Sequence, residues 1–232
     1  MSARPGSIGD ASGGAIQSVG GRRSRDNRAV ADDLDPRGPE RLEAFSDGVF
    51  AIAITLLVLE VHVPPIDDAT TPSALVDVLL RQWPSYIGYL IGFITIGNAW
   101  INHHNLMRLV GRVSHGLLLA NLLLLLAIGF IPFPTALLAD TLGRPSEQVG
   151  AVVYACAFAF TAVAFNLLWF TTKRVLKPGA SVTAVAAIDR SFRLGPPVSV
   201  AAILIAFVSP TVGIVVISGL VVLYLLPRSS GT

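Results

Sequence analysis

Long apolar runs are the feature of this sequence that most limits what it can fold into. One of them, HGLLLANLLLLLAIGFIPFPTALL at residues 115–138, contains no Asp, Glu, Lys or Arg. A helix needs about 20 mostly apolar residues to cross the hydrocarbon core of a membrane. Six segments qualify as candidates, at about 44–63, 84–102, 115–138, 148–171, 193–208 and 211–226. The predicted fold class is therefore an all-α integral membrane protein with six transmembrane helices.

Composition agrees with this prediction. Only 14% of the residues are charged, whereas a soluble domain carries roughly a quarter, and the mean hydropathy is +0.66. The last two candidates are short and are separated by Ser209-Pro210. As one helix they would span roughly 50 Å, which is too long for a single crossing of a 30 Å core. We therefore predict a tight helical hairpin there.

The charges in the connecting segments predict the orientation. Lys and Arg gather on the cytoplasmic side, most clearly in short loops. The flank before the first span and the loops after the second and fourth are basic, whereas the loops after the first and third are acidic or neutral. Six spans with both termini in the cytoplasm satisfy this alternation, including Arg228 in the tail.

Three regions follow from the same pattern. Residues 1–39 are rich in Gly, Ser, Arg and Asp and cannot bury enough apolar surface to fold alone, so we predict a disordered cytoplasmic tail. Residues 40–227 form the six-span domain, and 228–232 form a short cytoplasmic tail. The net charge of +2 does not indicate a nucleic-acid partner, and the single cysteine, Cys156, is predicted to be a packing residue.

The first span has an apolar stripe. Gly38-Pro39 is a typical helix start, and a helix from Pro39 to about Val63 places a set of residues within about 40° of Ile52. These are Phe45, Gly48, Ile52, Leu56, Leu59 and Val63. Thr55 borders the stripe at about 60°. The stripe is either an ordinary packing surface or the lining of a pore on a symmetry axis.

Polar residues mark the cytoplasmic end of the first two spans. Asp47 lies roughly 140° from Ile52, on another face, and an ionisable group in a span is functional or part of a network by default. Arg41 or a histidine is its expected partner. The end of the second span, GNAWINHHNLMR, adds the candidates Asn98, Trp100, Asn102, His103, His104 and Asn105. Adjacent histidines point about 100° apart on a helix, so we predict a hydrogen-bonded cluster rather than a metal site, with a pH-sensing histidine as the alternative.

Other motifs bear on packing. Gly88 and Gly92 form a Gly-x-x-x-Gly pair, which predicts close helix approach. Pro132 and Pro134 predict a kink near the outer end of the third span. Asn121 and Asn166 are isolated amides within spans, and we expect each to hydrogen-bond to a neighbouring helix.

These residues resemble the transmembrane protein 175 family of potassium channels. Its signature is matched by Arg41, Phe45, Ser46 and Asp47 in RLEAFSD, and further by the continuation GVFAIAITLLVLEV and by Trp100, His103 and His104. The resemblance covers about 40–227. It implies a homotetramer of six-span subunits in which the first helix of each subunit lines the pore.

The resemblance also implies roles for individual residues. Ile52 forms the narrowest aliphatic ring, with Leu56 and Leu59 as further layers, and Thr55 matches a position where some bacterial members place a selectivity-aiding hydroxyl. The Phe-Ser-Asp residues and the histidine–asparagine cluster form a network that holds the pore helix.

The predicted function is therefore a potassium-permeable channel of the bacterial plasma membrane, surrounded by lipid and passing potassium and other monovalent cations. It is not an enzyme and has no cofactor. The sequence contains no Thr-Val-Gly-Tyr-Gly filter, so an aliphatic constriction with modest preference for potassium over sodium is expected. The alternative is a proton-coupled secondary transporter or a proton leak pathway.

Overall fold

The computed structural model describes residues 38–63 and 71–225, and these residues are helical apart from short connections. Residues 1–37 of the predicted tail, the loop 64–70 and the C-terminal tail lie outside the described residues. The elements are α1 (Gly38–Leu56), a 3₁₀ turn (Leu57–Glu60), α2 (Pro72–Arg81), α3 (Trp83–Met107), α4 (His115–Phe130), α5 (Pro132–Thr141), α6 (Glu147–Thr172), α7 (Val182–Val208) and α8 (Pro210–Leu225). The predicted all-α class is confirmed.

Within the described ranges, four helical segments are long and apolar enough to cross a membrane. They are Gly38–Glu60, His115–Thr141, Glu147–Thr172 and Val185–Val208. Pro210–Gly219 is apolar but shorter, and α3 has 25 residues but carries amides and histidines in its last third. The chain is thus a multi-pass membrane protein by length and composition, and the count of six crossings stays a prediction.

Prolines and capping residues explain where the helices begin. Thr71 caps α2 by accepting a hydrogen bond from the backbone N–H of Ala74 at 3.2 Å, and Ser114 caps α4 in the same way. Such caps satisfy amide groups that have no partner within the helix. Pro132 begins α5 directly after Ile131, so the helix is interrupted where the kink of the third span was predicted.

The predicted hairpin between the last two spans is also confirmed. A Cβ placed on Gly213 would lie 2.8 Å from the Cα of Ala206. Seven residues along a straight helix are separated by about 10 Å, so the chain must turn back on itself at Ser209-Pro210. Gly213 lets the two helices meet at this turn.

The core has two parts, and α6 takes part in both. The larger cluster joins α1, α3, α4 and α6 through buried side chains such as Phe50, Ile96, Leu124 and Leu168. The smaller cluster joins α5, α6, α7 and α8. The larger cluster packs α1 against α3 and so holds the polar residues of these two helices next to each other.

The predicted close approach at the Gly-x-x-x-Gly pair is confirmed. A Cβ on Gly92 would lie 2.9 Å from Cδ2 of Leu57, and one on Gly88 would lie 3.1 Å from Cβ of Ala139. Because the glycines have no side chains, the 3₁₀ turn after α1 packs directly on α3. Any larger residue at position 92 would have to displace Leu57, which is fully buried.

Candidate functional site

The first helix has two different faces. Leu42, Ser46, Phe50 and Ala53 of α1 are buried against the rest of the chain. The opposite face is apolar and is left open by residues 38–63 and 71–225, with Phe45, Ile52, Leu56 and Leu59 exposed by 56%, 60%, 43% and 66%. We call these four residues the exposed apolar face. Apolar side chains in such a continuous row are expected to face lipid, another subunit or the interior of a pore from which water is excluded.

The C-terminal end of α1 differs from the sequence prediction. The α-helix ends at Leu56, and Leu57–Glu60 continues as a 3₁₀ turn, so a regular α-helix to Val63 is wrong. The 3₁₀ turn is tighter, with three residues per turn, and it seats Leu57 against Gly92. Thr55 is exposed, and its hydroxyl donates a hydrogen bond of 2.9 Å to the carbonyl oxygen of Ile52.

A buried chain of hydrogen bonds ties α1 to α3 and α4. The Nδ2 of Asn121 donates to the hydroxyl oxygen of Ser46 at 2.9 Å, and Ser46 donates to the carbonyl oxygen of Leu42 at 2.8 Å. The Oδ1 of Asn121 lies 2.8 Å from Nε2 of His103. Asn121, Ser46 and His103 are all fully buried. The amide of Asn121 therefore joins three helices at a single point, which confirms the predicted interhelical role of Asn121.

A second, more exposed chain lies beside it. The indole N–H of Trp100 donates to Oδ1 of Asp47 at 2.8 Å. The ring of Trp100 stacks on that of His104, with 5.9 Å between centroids, and Nδ1 of His104 lies 2.7 Å from Oε1 of Glu43. The hydrogen bond from the indole of Trp100 to Asp47 was not predicted from the sequence, which suggested Arg41 or a histidine as the partner of Asp47. His104 lies one helical turn after Trp100 and bonds to Glu43.

Not every predicted member joins α1 to α3. Asn102 donates to the carbonyl oxygen of Asn98 at 2.9 Å, so these two amides bond along α3 itself. Phe45 belongs to the exposed apolar face. Asn166 bonds the carbonyl of Ala162 within its own helix; the expectation that it bridges two helices is wrong.

Two contributors were absent from the predicted site. Glu43 lies one turn before Asp47 and meets His104, and the ring of Phe50 packs 5.3 Å from that of His103. The spacing of Glu43, Ser46, Asp47 and Phe50 places all four on the helix face that turns toward α3. The signal for both residues in the sequence is their helical spacing from Ser46 and Asp47 on the face opposite the apolar stripe.

The site contains no arrangement that is typical of a metal centre. Over residues 38–63 and 71–225, no three His, Cys, Asp or Glu side chains lie together in a way that could hold a metal ion. The polar groups instead bond to one another. The arrangement is suited to fixing α1 at a defined angle while leaving its apolar face uncovered.

Together, the helical bundle and the fixed first helix with its bare apolar face define a multi-pass helical membrane protein. Comparisons with known proteins specify it further. Residues 41–132 match the family model described as the endosomal/lysosomal potassium channel TMEM175. A potassium channel of Chamaesiphon minutus is 46% identical over 172 residues, which cover 73% of this chain and 84% of that protein. The chain belongs to the TMEM175 family of ion channels, which is not an enzyme class.

Two further relatives and one solved structure extend the comparison. A potassium channel of Streptomyces collinus is 42% identical over 67% of this chain and 76% of its own length. The human endosomal/lysosomal proton channel TMEM175 is 33% identical over 60% of this chain but only 28% of its own length. The crystal structure of a lysosomal potassium-selective channel TMEM175 homolog from Chamaesiphon minutus superposes with a TM-score of 0.74 at 42% identity, covering 83% of this chain and 98% of that one.

Proposed function

We propose that this protein is a potassium-permeable cation channel in which four identical subunits surround a pore lined by α1. The observation that carries the proposal is the exposed apolar face of α1, which is held in place by buried hydrogen bonds but is not covered by any of the described residues. Relatives that cover most of this chain are named potassium channels. A fourfold axis along this face would bring the same side chains of each subunit together.

Ile52 is the proposed constriction, with Leu56 and Leu59 as further rings. A ring of aliphatic side chains repels water and can close a pore by dewetting, without a mechanical plug. Because such a ring has no carbonyl ladder to replace the hydration shell of an ion, we expect only modest preference for potassium over sodium. Potassium is preferred because its water shell is deformed at lower cost.

Thr55 is the proposed polar contribution to selectivity. Its hydroxyl group donates its hydrogen to the carbonyl oxygen of Ile52. A hydroxyl oxygen keeps acceptor lone pairs after it donates, and these can contact a partly dehydrated cation. Since the bond fixes the rotamer, four such oxygens would present a defined ring one turn from the constriction.

The polar residues of α1 have a supporting role in this proposal. Ser46 and Asp47 face α3 and α4, away from the exposed apolar face, and bond to Asn121 and Trp100. They would keep the rotation of α1 constant, so that Ile52 rather than a polar neighbour points to the axis. They are positioning residues and not ion ligands.

The orientation and location are also proposed. The basic loops 108–114 and 173–181 lie at the end where α1 begins, which favours a cytoplasmic position for that end. Six crossings, both termini in the cytoplasm and the bacterial plasma membrane complete the proposal. The membrane partners are lipids, and potassium and other monovalent cations are the permeating species.

Ion flux in proteoliposomes tests the pore assignment. We expect Ile52→Ala to raise potassium flux or to lower the ratio of potassium to sodium flux, since a smaller side chain widens the ring. Leu119→Ala is the matched control, because Leu119 is an aliphatic residue of similar exposure on α4. Equal flux and equal selectivity for Ile52→Ala and the unmodified protein would refute the assignment.

A proton pathway is the second candidate function. It is favoured by one finding: the vertebrate relatives are named proton channels. This candidate includes a proton leak or a proton-coupled transporter, as well as a channel that conducts both ions. A pH-sensitive dye trapped in potassium-free liposomes distinguishes the two functions, because it reports proton flux across the membrane. When only a proton gradient is present, a potassium channel with a dry aliphatic ring is expected to leave the internal pH unchanged.

A further inference from the structure

Two loops at the end of the molecule where α1 begins are joined into one unit. Val110 and Leu176 form an isolated antiparallel bridge. The N–H of Gly111 donates to the carbonyl of Val175 at 2.8 Å, and the N–H of Lys177 donates to the carbonyl of Leu109 at 2.9 Å. Because these bonds link residues more than 60 positions apart, the loop after α3 and the loop after α6 hold each other in place.

The junction is tight and anchored in the core. A Cβ on Gly111 would lie 3.0 Å from the Cα of Lys177 and 3.1 Å from the carbonyl oxygen of Leu176, so a larger residue would push the two backbones apart. Val110 and Val175 are buried in the same cluster as Phe50 of α1. The loops are therefore a rigid extension of the core that positions α1.

Four cationic side chains project from this junction. We call Arg108, Arg112, Arg174 and Lys177 the basic platform; all four are exposed. In the part of the chain that the structure describes, no carboxylate pairs with any of them. The nearby acid Asp189 is occupied by Lys173 and Arg193, at 2.8 Å each. Among residues 38–63 and 71–225, the platform is thus a cluster of positive charge without a paired carboxylate.

The geometry of the platform matches a phosphate group. Arg112 follows Gly111 directly, so its Cα lies within about 9 Å of that of Lys177. Two long flexible cations at this spacing can close on one anion, and arginine binds phosphate through two parallel N–H groups. Like charges held together without a counterion are repulsive, and a bound phosphate removes that repulsion.

The position of the platform favours a lipid over a soluble anion. Arg108 and Arg174 lie just after the last residues of α3 and α6, where apolar helix gives way to loop. The guanidinium of Arg174 lies 4.3 Å from the ring centroid of Phe170, a side chain that is 51% exposed on the apolar surface of α6. This cation is therefore held at the level where headgroups meet acyl chains.

We propose that the basic platform binds the phosphate headgroup of anionic phospholipids in the leaflet on that side of the membrane. The bound headgroup would stabilise the junction of the two loops and, through Val110 and Val175, the core that holds α1. This inference is independent of the ion that the protein conducts, because it concerns binding at a surface outside the exposed apolar face.

Native mass spectrometry of the full-length protein in detergent tests the proposal. The protein is titrated with phosphatidylglycerol and, separately, with zwitterionic phosphatidylcholine. We expect phosphatidylglycerol to bind more tightly, and each removed charge to weaken its binding about fivefold. The double variant R112Q/K177Q should therefore lose about 25-fold in affinity. R144Q is the matched control, since Arg144 is an exposed arginine in the loop between α5 and α6.

Two further arms keep the result interpretable. The charge-conserving variant R112K/K177R should retain most phosphatidylglycerol binding, which separates loss of charge from loss of fold. Inorganic phosphate at millimolar concentration should not reproduce the rise in melting temperature that phosphatidylglycerol produces. Equal binding of the two lipids, an equal loss in R144Q, or an equal effect of inorganic phosphate would overturn the proposal.

Discussion

Replacing Asn121 with leucine removes the one amide that joins α1, α3 and α4. The two side chains have similar size, so Asn121→Leu leaves no room for a water molecule to take over the lost bonds. Ser46 loses a donor at 2.9 Å and His103 loses its partner at 2.8 Å. Both groups are fully buried, so water cannot replace the amide.

The expected loss of stability follows from these two bonds. Interhelical hydrogen bonds in membrane proteins contribute about 0.6 kcal/mol on average and about 1.7 kcal/mol at most. Two of them give about 1–3 kcal/mol, and a buried imidazole nitrogen without a partner moves the value to the upper part of that range. For a chain of this size, about 2–3 kcal/mol corresponds to a fall in melting temperature of about 4–12 °C.

Thermal unfolding in detergent, followed by size-exclusion chromatography of the heated samples, measures this fall. Asn166→Leu is the matched control, because Asn166 only bonds the carbonyl of Ala162 in its own helix at 2.9 Å. We expect its melting temperature to stay within about 2 °C of the unmodified protein. A double-mutant cycle with Ser46→Ala should give a coupling of about 1 kcal/mol between Ser46 and Asn121. If Asn121→Leu melts like Asn166→Leu, the buried chain does not hold the helices.

Two other predictions concern the support of α1. Gly92→Ala should lower the melting temperature, because its Cβ would lie 2.9 Å from Leu57. Gly97→Ala is the control and should be neutral or stabilising, because a Cβ there would have nothing within 4 Å. We expect the two variants to differ in stability by about 1–3 kcal/mol, and equal melting temperatures would count against close packing at Gly92. Asp47→Ala leaves the indole N–H of Trp100 without its acceptor, so cross-linking should detect fewer assembled oligomers while the surviving channels keep their selectivity. Intact oligomers with altered conduction would contradict the positioning role of Asp47.

The helices and several of their breaks could be predicted from the sequence because each depends on local chemistry. Pro132 interrupts the third span and Pro210 begins the last helix, as expected of a residue without an N–H group. The stripe of α1 follows from spacing alone, and Ile52 and Leu59 are exposed together as the helical wheel indicated. What the wheel left open was which face of α1 would be covered by the protein.

The partners in the polar site could not be predicted in the same way. Asp47 was expected to bind an arginine or a histidine, since opposite charges attract, but its hydrogen bond with the indole of Trp100 was not predicted. The reason is geometric: α1 and α3 are antiparallel, and their relative shift along the axis sets which residues meet. Close packing at Gly92 contributes to that shift. The sequence of a single helix does not indicate how far it is shifted along its neighbour, so its hydrogen-bonding groups alone do not identify their partners.

The sequence by itself determined that the chain is a helical membrane protein, because uninterrupted apolar runs can satisfy their backbone only as helices in lipid. It also determined the family, since the signature residues Arg41, Phe45, Ser46 and Asp47 fall within the seven-residue stretch RLEAFSD. Only the tertiary structure decided that Asn121 joins Ser46 to His103 and that residues 110 and 176 pair. Such contacts depend on the rotation and depth of each helix against its neighbours, which arise from packing over the whole bundle rather than from any one segment.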